Sequence, residues 1–143
     1  MSTHLPAILV VDDEKNMRLS LTTVLTDEGF FVRAVDSAEE GLARLAVEEF
    51  FMVITDARLG GMSGYEFLRQ TAARWPDLPI LMITAYATPK LAVEAIKAGA
   101  IDYLGKPFAP EELLNAFTRS VERYRRPKAK STLRARASEP ARP

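Results

Sequence analysis

Five short apolar runs recur along the chain, each followed by a segment with helical spacing, and this alternation constrains the fold more than any other feature. The runs are Ala7-Ile8-Leu9-Val10-Val11, Phe30 to Val35, Phe51-Met52-Val53-Ile54-Thr55, Pro79 to Thr84 and Ile101-Asp102-Tyr103-Leu104. Short apolar runs rich in β-branched residues read as strands covered on both faces, the usual state of a parallel sheet. Strands that alternate with helices imply right-handed crossovers and helices on both faces of one sheet. The expectation is an α/β chain with a (βα)5 doubly wound parallel sheet.

The intervening segments carry their own stop and start signals. Met17, Leu19, Leu21, Val24 and Leu25 predict a first helix over residues 15–27, closed by Gly29. Ser37 caps a second helix, with Glu40 completing a capping box and Gly41, Leu42, Leu45 and Ala46 facing inward. A third helix over 64–74 carries Phe67, Leu68 and Ala72 on one face and stops before Pro76. Thr88-Pro89 opens a fourth, which runs through Ala92, Val93 and Ile96 to Gly99. Pro110-Glu111-Glu112 opens a fifth, bearing Leu113, Leu114, Phe117 and Val121.

Composition closes off several classes of function. With no cysteine among 143 residues, disulfides, thiolate metal sites and cysteine nucleophiles are excluded. No apolar run approaches a membrane span and no charged-then-apolar leader opens the chain, so a cytoplasmic address follows by default. The net charge of zero hides a split. Residues 125–143 hold seven Lys/Arg and one Glu, whereas residues 1–124 hold twelve Lys/Arg and eighteen Asp/Glu. From Pro127 onward the composition buries too little to offset ordering, so a disordered tail is expected. The chain divides as an extension (1–6), one domain (7–125) and a basic flexible tail or linker (126–143). The tail lacks interleaved aromatics and any helix-turn-helix pattern, which favours a solvated linker over a nucleic-acid contact.

In a sheet of this kind the residues just after strands one, three, four and five converge on one edge, where open α/β folds carry their chemistry. Here these are Asp12 and Asp13, Asp56, Thr84 and Lys106. Carboxylates from adjacent strands repel unless a cation joins them, and hard oxygen ligands suit Mg²⁺ with phosphate oxygens completing its shell. A lysine and a hydroxyl aimed at the same spot supply the positive charge and donor that phosphoryl transfer requires. The inferred reaction places a phosphoryl group on Asp56 as nucleophile. Singly, each residue has a duller reading: a helix cap for Asp12 or Asp13, a turn for Asp56 or Thr84, a solvated charge for Lys106. The joint pattern in this register is what the duller readings leave unexplained.

The residues Val10-Val11-Asp12-Asp13-Glu14, Asp56, Gly64, Thr84-Ala85, Gly99-Ala100, Asp102-Tyr103 and Lys106-Pro107-Phe108 resemble the receiver domain of two-component response regulators, over about residues 6–125. Thr84-Ala85-Tyr86-Ala87 with Gly99 to Leu104 is most similar to receivers of the nitrogen-regulation (NtrC) class. The resemblance implies a flavodoxin-like fold with strand order 2-1-3-4-5. It implies that Asp56 takes its phosphoryl group from a phosphohistidine of a sensor histidine kinase or phosphotransfer protein. Asp13, Asp56 and the backbone carbonyl of Arg58 would bind Mg²⁺, with Asp12 acting through a water. Lys106 would contact the phosphoryl oxygen, its bond to Pro107 being cis. Thr84 would move toward the phosphoryl group and Tyr103 turn inward behind it. Together they would bias a surface of the fourth helix, fifth strand and fifth helix. A downstream effector, or a second copy in a phosphorylation-dependent homodimer, would read that surface, with no nucleic acid or membrane bound by the domain itself. For Tyr103 a half-buried aromatic on a strand is the plainer alternative.

The departures from the family pattern lie around the mouth of the site. Gly60 stands where proline is usual, followed by Gly61, which implies a looser loop; Ser63 stands where aspartate is common, as cap of the third helix. Arg58 puts a long cation at the mouth, positioned to affect dephosphorylation. Rival chemistries fit less well. A haloacid-dehalogenase-type phosphatase wants a second Asp where Arg58 stands. A flavodoxin phosphate loop is incompatible with Asp12-Asp13-Glu14. Gly99 to Lys106 is a false P-loop, with five residues between its glycines and Pro107 in place of Ser/Thr. The remaining alternative is a receiver-shaped module that works by contact whether or not Asp56 is phosphorylated. Full regulators of this class continue into an ATPase or DNA-binding domain, so the chain is expected to be either a single-domain regulator or a fragment ending in a linker.

Overall fold

The computed structural model describes residues 7–120 and residue 122. Five strands, β1 (Ala7–Val11), β2 (Val32–Val35), β3 (Phe50–Asp56), β4 (Ile80–Thr84) and β5 (Asp102–Gly105), form one parallel sheet in the order β2-β1-β3-β4-β5. Helices α1 (Lys15–Asp27), α2 (Ala38–Val47), α3 (Gly64–Arg74), α4 (Pro89–Ala98) and α5 (residues 110–120) connect and follow them. The expected fold and strand order are the observed ones. Both the tail from 126 onward and Val121, expected in the last helix, lie outside the described residues.

Strand alternation sorts the core into two layers. Leu9, Val11, Val53, Ile80 and Met82 pack with Ala38 and Leu45 of α2, Phe67 and Leu68 of α3 and Ala95 of α4. Ile8, Val10, Met52, Ile54, Leu81 and Ile83 pack on the other face with Leu21 and Leu25 of α1 and Leu113, Ala116 and Phe117 of α5. Successive strand residues point to opposite faces, so helices on both faces account for the uninterrupted apolar runs. Each large side chain buried this way stabilises the fold by about 1.5–3 kcal/mol.

The helix signals act largely as their chemistry predicts. Ser37, Ser63 and Thr88 each accept a hydrogen bond from the amide three residues on, at 3.1 Å. Only half of the expected capping box forms, because the Glu40 carboxylate turns to Arg44 at 3.4 Å. Gly99 ends α4 at φ 122°, where a Cβ would come within 2.7 Å of the Ala72 Cβ. The sole tryptophan, Trp75, ends α3 at the sheet edge opposite Asp56, half-buried under the Arg74 guanidinium 4.6 Å from its ring.

Several apolar residues of the expected helices stay exposed, Ala46 among them although it was expected inward. Val93 and Ile96 of α4 are 52% and 48% exposed, and Leu19 of α1 is 56% exposed. Ala38 takes the buried place on α2. On α4 Ala95 is fully buried and Ala98 packs part-buried against the same core, while Val93 and Ile96 stay exposed. The second strand starts at Val32 because Phe30 turns aside to pack on Phe51 and Phe117, at 5.8 and 4.8 Å between ring centroids.

Candidate functional site

The carboxyl edge of the sheet gathers the sequence-nominated residues. Asp12 and Asp13 follow β1, Asp56 and Thr84 are the last residues of β3 and β4, and Lys106 follows β5. Backbone bonds fix these junctions: the Asp12 amide donates to Val35, that of Ala57 to Ile83, and that of Lys106 to Thr84 at 2.7 Å. Gly64 fixes the third loop from above. A Cβ there would lie 2.0 Å from the Asp56 carbonyl oxygen and 2.7 Å from Ala57 Cα, so only glycine lets α3 begin against the backbone of the site.

The three aspartates each bring an oxygen within 4.8 Å of the others. Asp12 is buried, Asp56 is 7% exposed and Asp13 faces solvent. Lys106 Nζ lies 2.8 Å from Asp56 Oδ2 and 3.1 Å from Asp12 Oδ2. The second oxygens are held locally: Asp12 Oδ1 accepts from the Glu14 amide at 2.9 Å and Asp56 Oδ1 from the Arg58 amide at 3.1 Å. Burial pushes the Asp12 carboxyl up, against the Glu14 amide and the Lys106 charge that pull it back. Burial alone would depress Lys106, but its bond to Asp56 and the charges of both aspartates hold it above its usual value. Three carboxylates against one ammonium leave two negative charges uncompensated, an amount and a hardness that suit a divalent, oxygen-seeking cation. The donor set therefore fits Mg²⁺.

The rim brings in residues the sequence did not single out. Thr84, 1% exposed, accepts through Oγ1 the Tyr86 amide at 3.1 Å. The Arg58 side chain crosses to β4's loop, its guanidinium carbon 4.5 Å from the Tyr86 ring centroid. The Tyr103 hydroxyl donates to the Tyr86 carbonyl across a long 3.5 Å. Burial, with a hydrogen bond to Tyr65, pushes Tyr103 up to about 12. Next to Gly60 and Gly61, Glu39 of α2 takes the Met62 amide at 3.3 Å. The Lys106–Pro107 peptide bond is cis. Behind the site, Arg119 of α5 pairs with Asp102 of β5 at 2.9 Å. Tyr86 entered only as part of the motif Thr84 to Ala87, and the signal for its contact with Arg58 is spacing. Tyr86 stands two residues past Thr84 as Arg58 stands two past Asp56, on adjacent parallel strands.

A family model for the response regulator receiver domain matches residues 8–118. The chain belongs to that family. This receiver is 36% identical over 136 residues to the C4-dicarboxylate transport transcriptional regulatory protein DctD of Rhizobium meliloti, an alignment covering 95% of this chain and 29% of DctD. It is 35% identical over 121 residues to the DNA-binding transcriptional regulator NtrC of Proteus hauseri, covering 85% of this chain and 26% of NtrC. The chain thus spans less than a third of the length of either regulator. Among solved structures, the CheY-like receiver domain protein of Methanospirillum hungatei superposes with a TM-score of 0.80 at 32% identity, over 85% of this chain and 98% of that one. Phosphorylation of an aspartate is the standard function of the family. Among the described residues no helix is long and apolar enough to cross a membrane.

Proposed function

We propose that this receiver accepts a phosphoryl group on Asp56 from the phosphohistidine of a sensor histidine kinase or phosphotransfer protein. One observation carries the reading: three aspartates and Lys106 meet at a single point on the sheet edge, with Nζ at 2.8 and 3.1 Å from two of the carboxylates. Asp13, Asp56 and the Arg58 carbonyl would hold Mg²⁺, with Asp12 one water further out. The ion would neutralise charge on the phosphoryl oxygens. A carboxylate oxygen of Asp56 forms the O–P bond as the P–N bond to the donor imidazole breaks, and the imidazole leaves with the bonding pair and takes up a proton. Lys106 follows the developing charge onto a phosphoryl oxygen, and the Thr84 hydroxyl donates to another after releasing the Tyr86 amide. Hydrolysis of the same bond resets the site, so the protein catalyses its own phosphorylation and dephosphorylation and turns over no metabolite.

The readout is the face of α4, β5 and α5, reached through Thr84 and Tyr103. Support comes from the Tyr103–Tyr86–Thr84 chain of bonds and from Val93 and Ile96 standing exposed on α4. A downstream effector, an output domain or a second phosphorylated copy would occupy it. Residues 7–125 form the receiver in this reading, with residues 126–143 as a linker or tail and a cytoplasmic setting for the whole.

Intact-protein mass after incubation with Mg²⁺ and acetyl phosphate or phosphoramidate tests the reading. The chain gains one phosphoryl group, about 80 Da, and Asp56→Ala does not. No adduct, together with no response to beryllofluoride or to Mg²⁺ alone, would move the protein to a module that works without phosphorylation.

A further inference from the structure

Asp12 is held at every polar atom it has. Its amide donates to the Val35 carbonyl at 3.1 Å, Oδ1 accepts the Glu14 amide at 2.9 Å, and Oδ2 accepts Lys106 Nζ at 3.1 Å. The fourth atom, its carbonyl oxygen, accepts from Arg18 Nη1 at 2.9 Å. Asp13 is the opposite case. It is exposed, and among the described residues its carboxylate makes no hydrogen bond and no ion pair. What places Asp13 is the peptide that joins it to Asp12, and the oxygen of that peptide is the atom Arg18 grips.

The reach follows from helix geometry. Side chains of an α-helix lean toward its N-terminus, so a long one in the first turn lies over the residues before the helix. Arg18 stands in the first turn of α1, and its own amide donates to the Glu14 carbonyl at 3.0 Å. Glu14, at the N-cap, gives the helix no side-chain cap. Asp36 and Glu40 line the same shallow cleft as Arg18, yet its guanidinium bonds the carbonyl and, among the described residues, no carboxylate. A cation here opposes the helix dipole and the approach of a divalent ion. On charge alone Arg18 would weaken cation binding; through the Asp12 carbonyl it would strengthen it. The two roles have opposite signs.

We propose that Arg18 is a positioning residue for the cation site: by holding the Asp12 carbonyl it sets the Asp12–Asp13 peptide plane and so aims the Asp13 carboxylate at the ion shared with Asp56. The inference rests on the Mg²⁺ reading of the three aspartates.

Calorimetric Mg²⁺ titration and amide exchange by NMR, both on the full chain, test it. Arg18→Met keeps an unbranched stem and loses charge and donors. In the metal-free protein it quickens exchange of the Asp12 and Glu14 amides about three- to tenfold and leaves α3 and α4 unchanged. It weakens Mg²⁺ binding about tenfold, the usual scale for a group that orients a ligand without touching the metal. A purely electrostatic Arg18 gives the other sign, since loss of a nearby cation tightens Mg²⁺ binding about twofold. Arg18→Lys keeps the charge and offers a donor on a shorter stem, so its Mg²⁺ affinity recovers in step with the slowing of those two amides. Weaker binding without quicker exchange at the turn, or with equal quickening of every helix, overturns the positioning role. Tight wild-type binding that Arg18→Met leaves unchanged or improves overturns this inference alone. Wild type that binds no Mg²⁺ overturns the Mg²⁺ reading, and this inference with it.

Discussion

At the scale of single residues, Lys106 decides the character of the site before any ligand arrives. It is the one ammonium among three carboxylates, with its side chain 11% exposed, and it shares itself between Asp12 and Asp56. Removing one partner from a buried ion cluster leaves the others uncompensated, a larger effect than the net worth of the pairs themselves. Lys106→Met therefore lowers stability at neutral pH by roughly 2–3 kcal/mol. Urea unfolding shows the loss, and added Mg²⁺ restores part of it. Equal stability with and without Mg²⁺ in this variant would mean that the aspartates do not form one cation site. Arg58 acts at the rim. Its stack on Tyr86 closes one side of the mouth above Asp56, and Arg58→Ala changes the aspartyl-phosphate half-life by about two- to fivefold, the worth of an exposed cation–π contact. An unchanged half-life in the mass-spectrometric decay would assign Arg58 no part in it.

At the scale of elements, the third βα unit carries the tightest constraint. Gly64 lets α3 start against the Asp56–Ala57 backbone, and its amide donates to the Ala57 carbonyl at 3.0 Å. Gly64→Ala forces that backbone apart and costs roughly 2 kcal/mol or more; chemical denaturation measures this, and Mg²⁺ affinity falls with it. Gly64 entered only with the family motif, whereas Asp56, Thr84 and Lys106 were legible in the chain because each ends or follows an apolar run, and the runs set the sheet edge. Tyr65 and Tyr86 were not. The partner of Tyr65 lies twenty-six residues away on another helix, and that of Tyr103 seventeen residues back across a loop. Such meetings depend on how helices settle on a sheet, which periodicity does not encode. The same limit applies to Val93 and Ile96, apolar residues of α4 that stay exposed beside the buried Ala95. Glu39 was missed in the same way, since its carboxylate reaches the Met62 amide from α2, twenty-three residues back in the chain.

At the scale of the whole molecule, the sheet carries the acidic cluster at its carboxyl edge while two apolar layers, one on each face, hold the helices to one frame. Val93 and Ile96 contribute little to that frame, so the pair Val93→Ser and Ile96→Ser alters unfolding free energy by less than about 0.5 kcal/mol per site. The pair weakens phosphorylation-dependent association roughly tenfold where α4 is the docking face. Sedimentation with beryllofluoride and Mg²⁺ reads this for a homodimer; association at wild-type strength would direct attention to another face. The distance between the two ends of the sheet has a practical side. The only indole in the chain sits at the far edge, its ring under Arg74 and its environment shared with the end of α3 rather than with Asp56. Its emission will follow loss of the fold and stay nearly silent while the site fills. A fluorimeter that sees nothing on adding Mg²⁺ is then looking at the wrong end of the molecule.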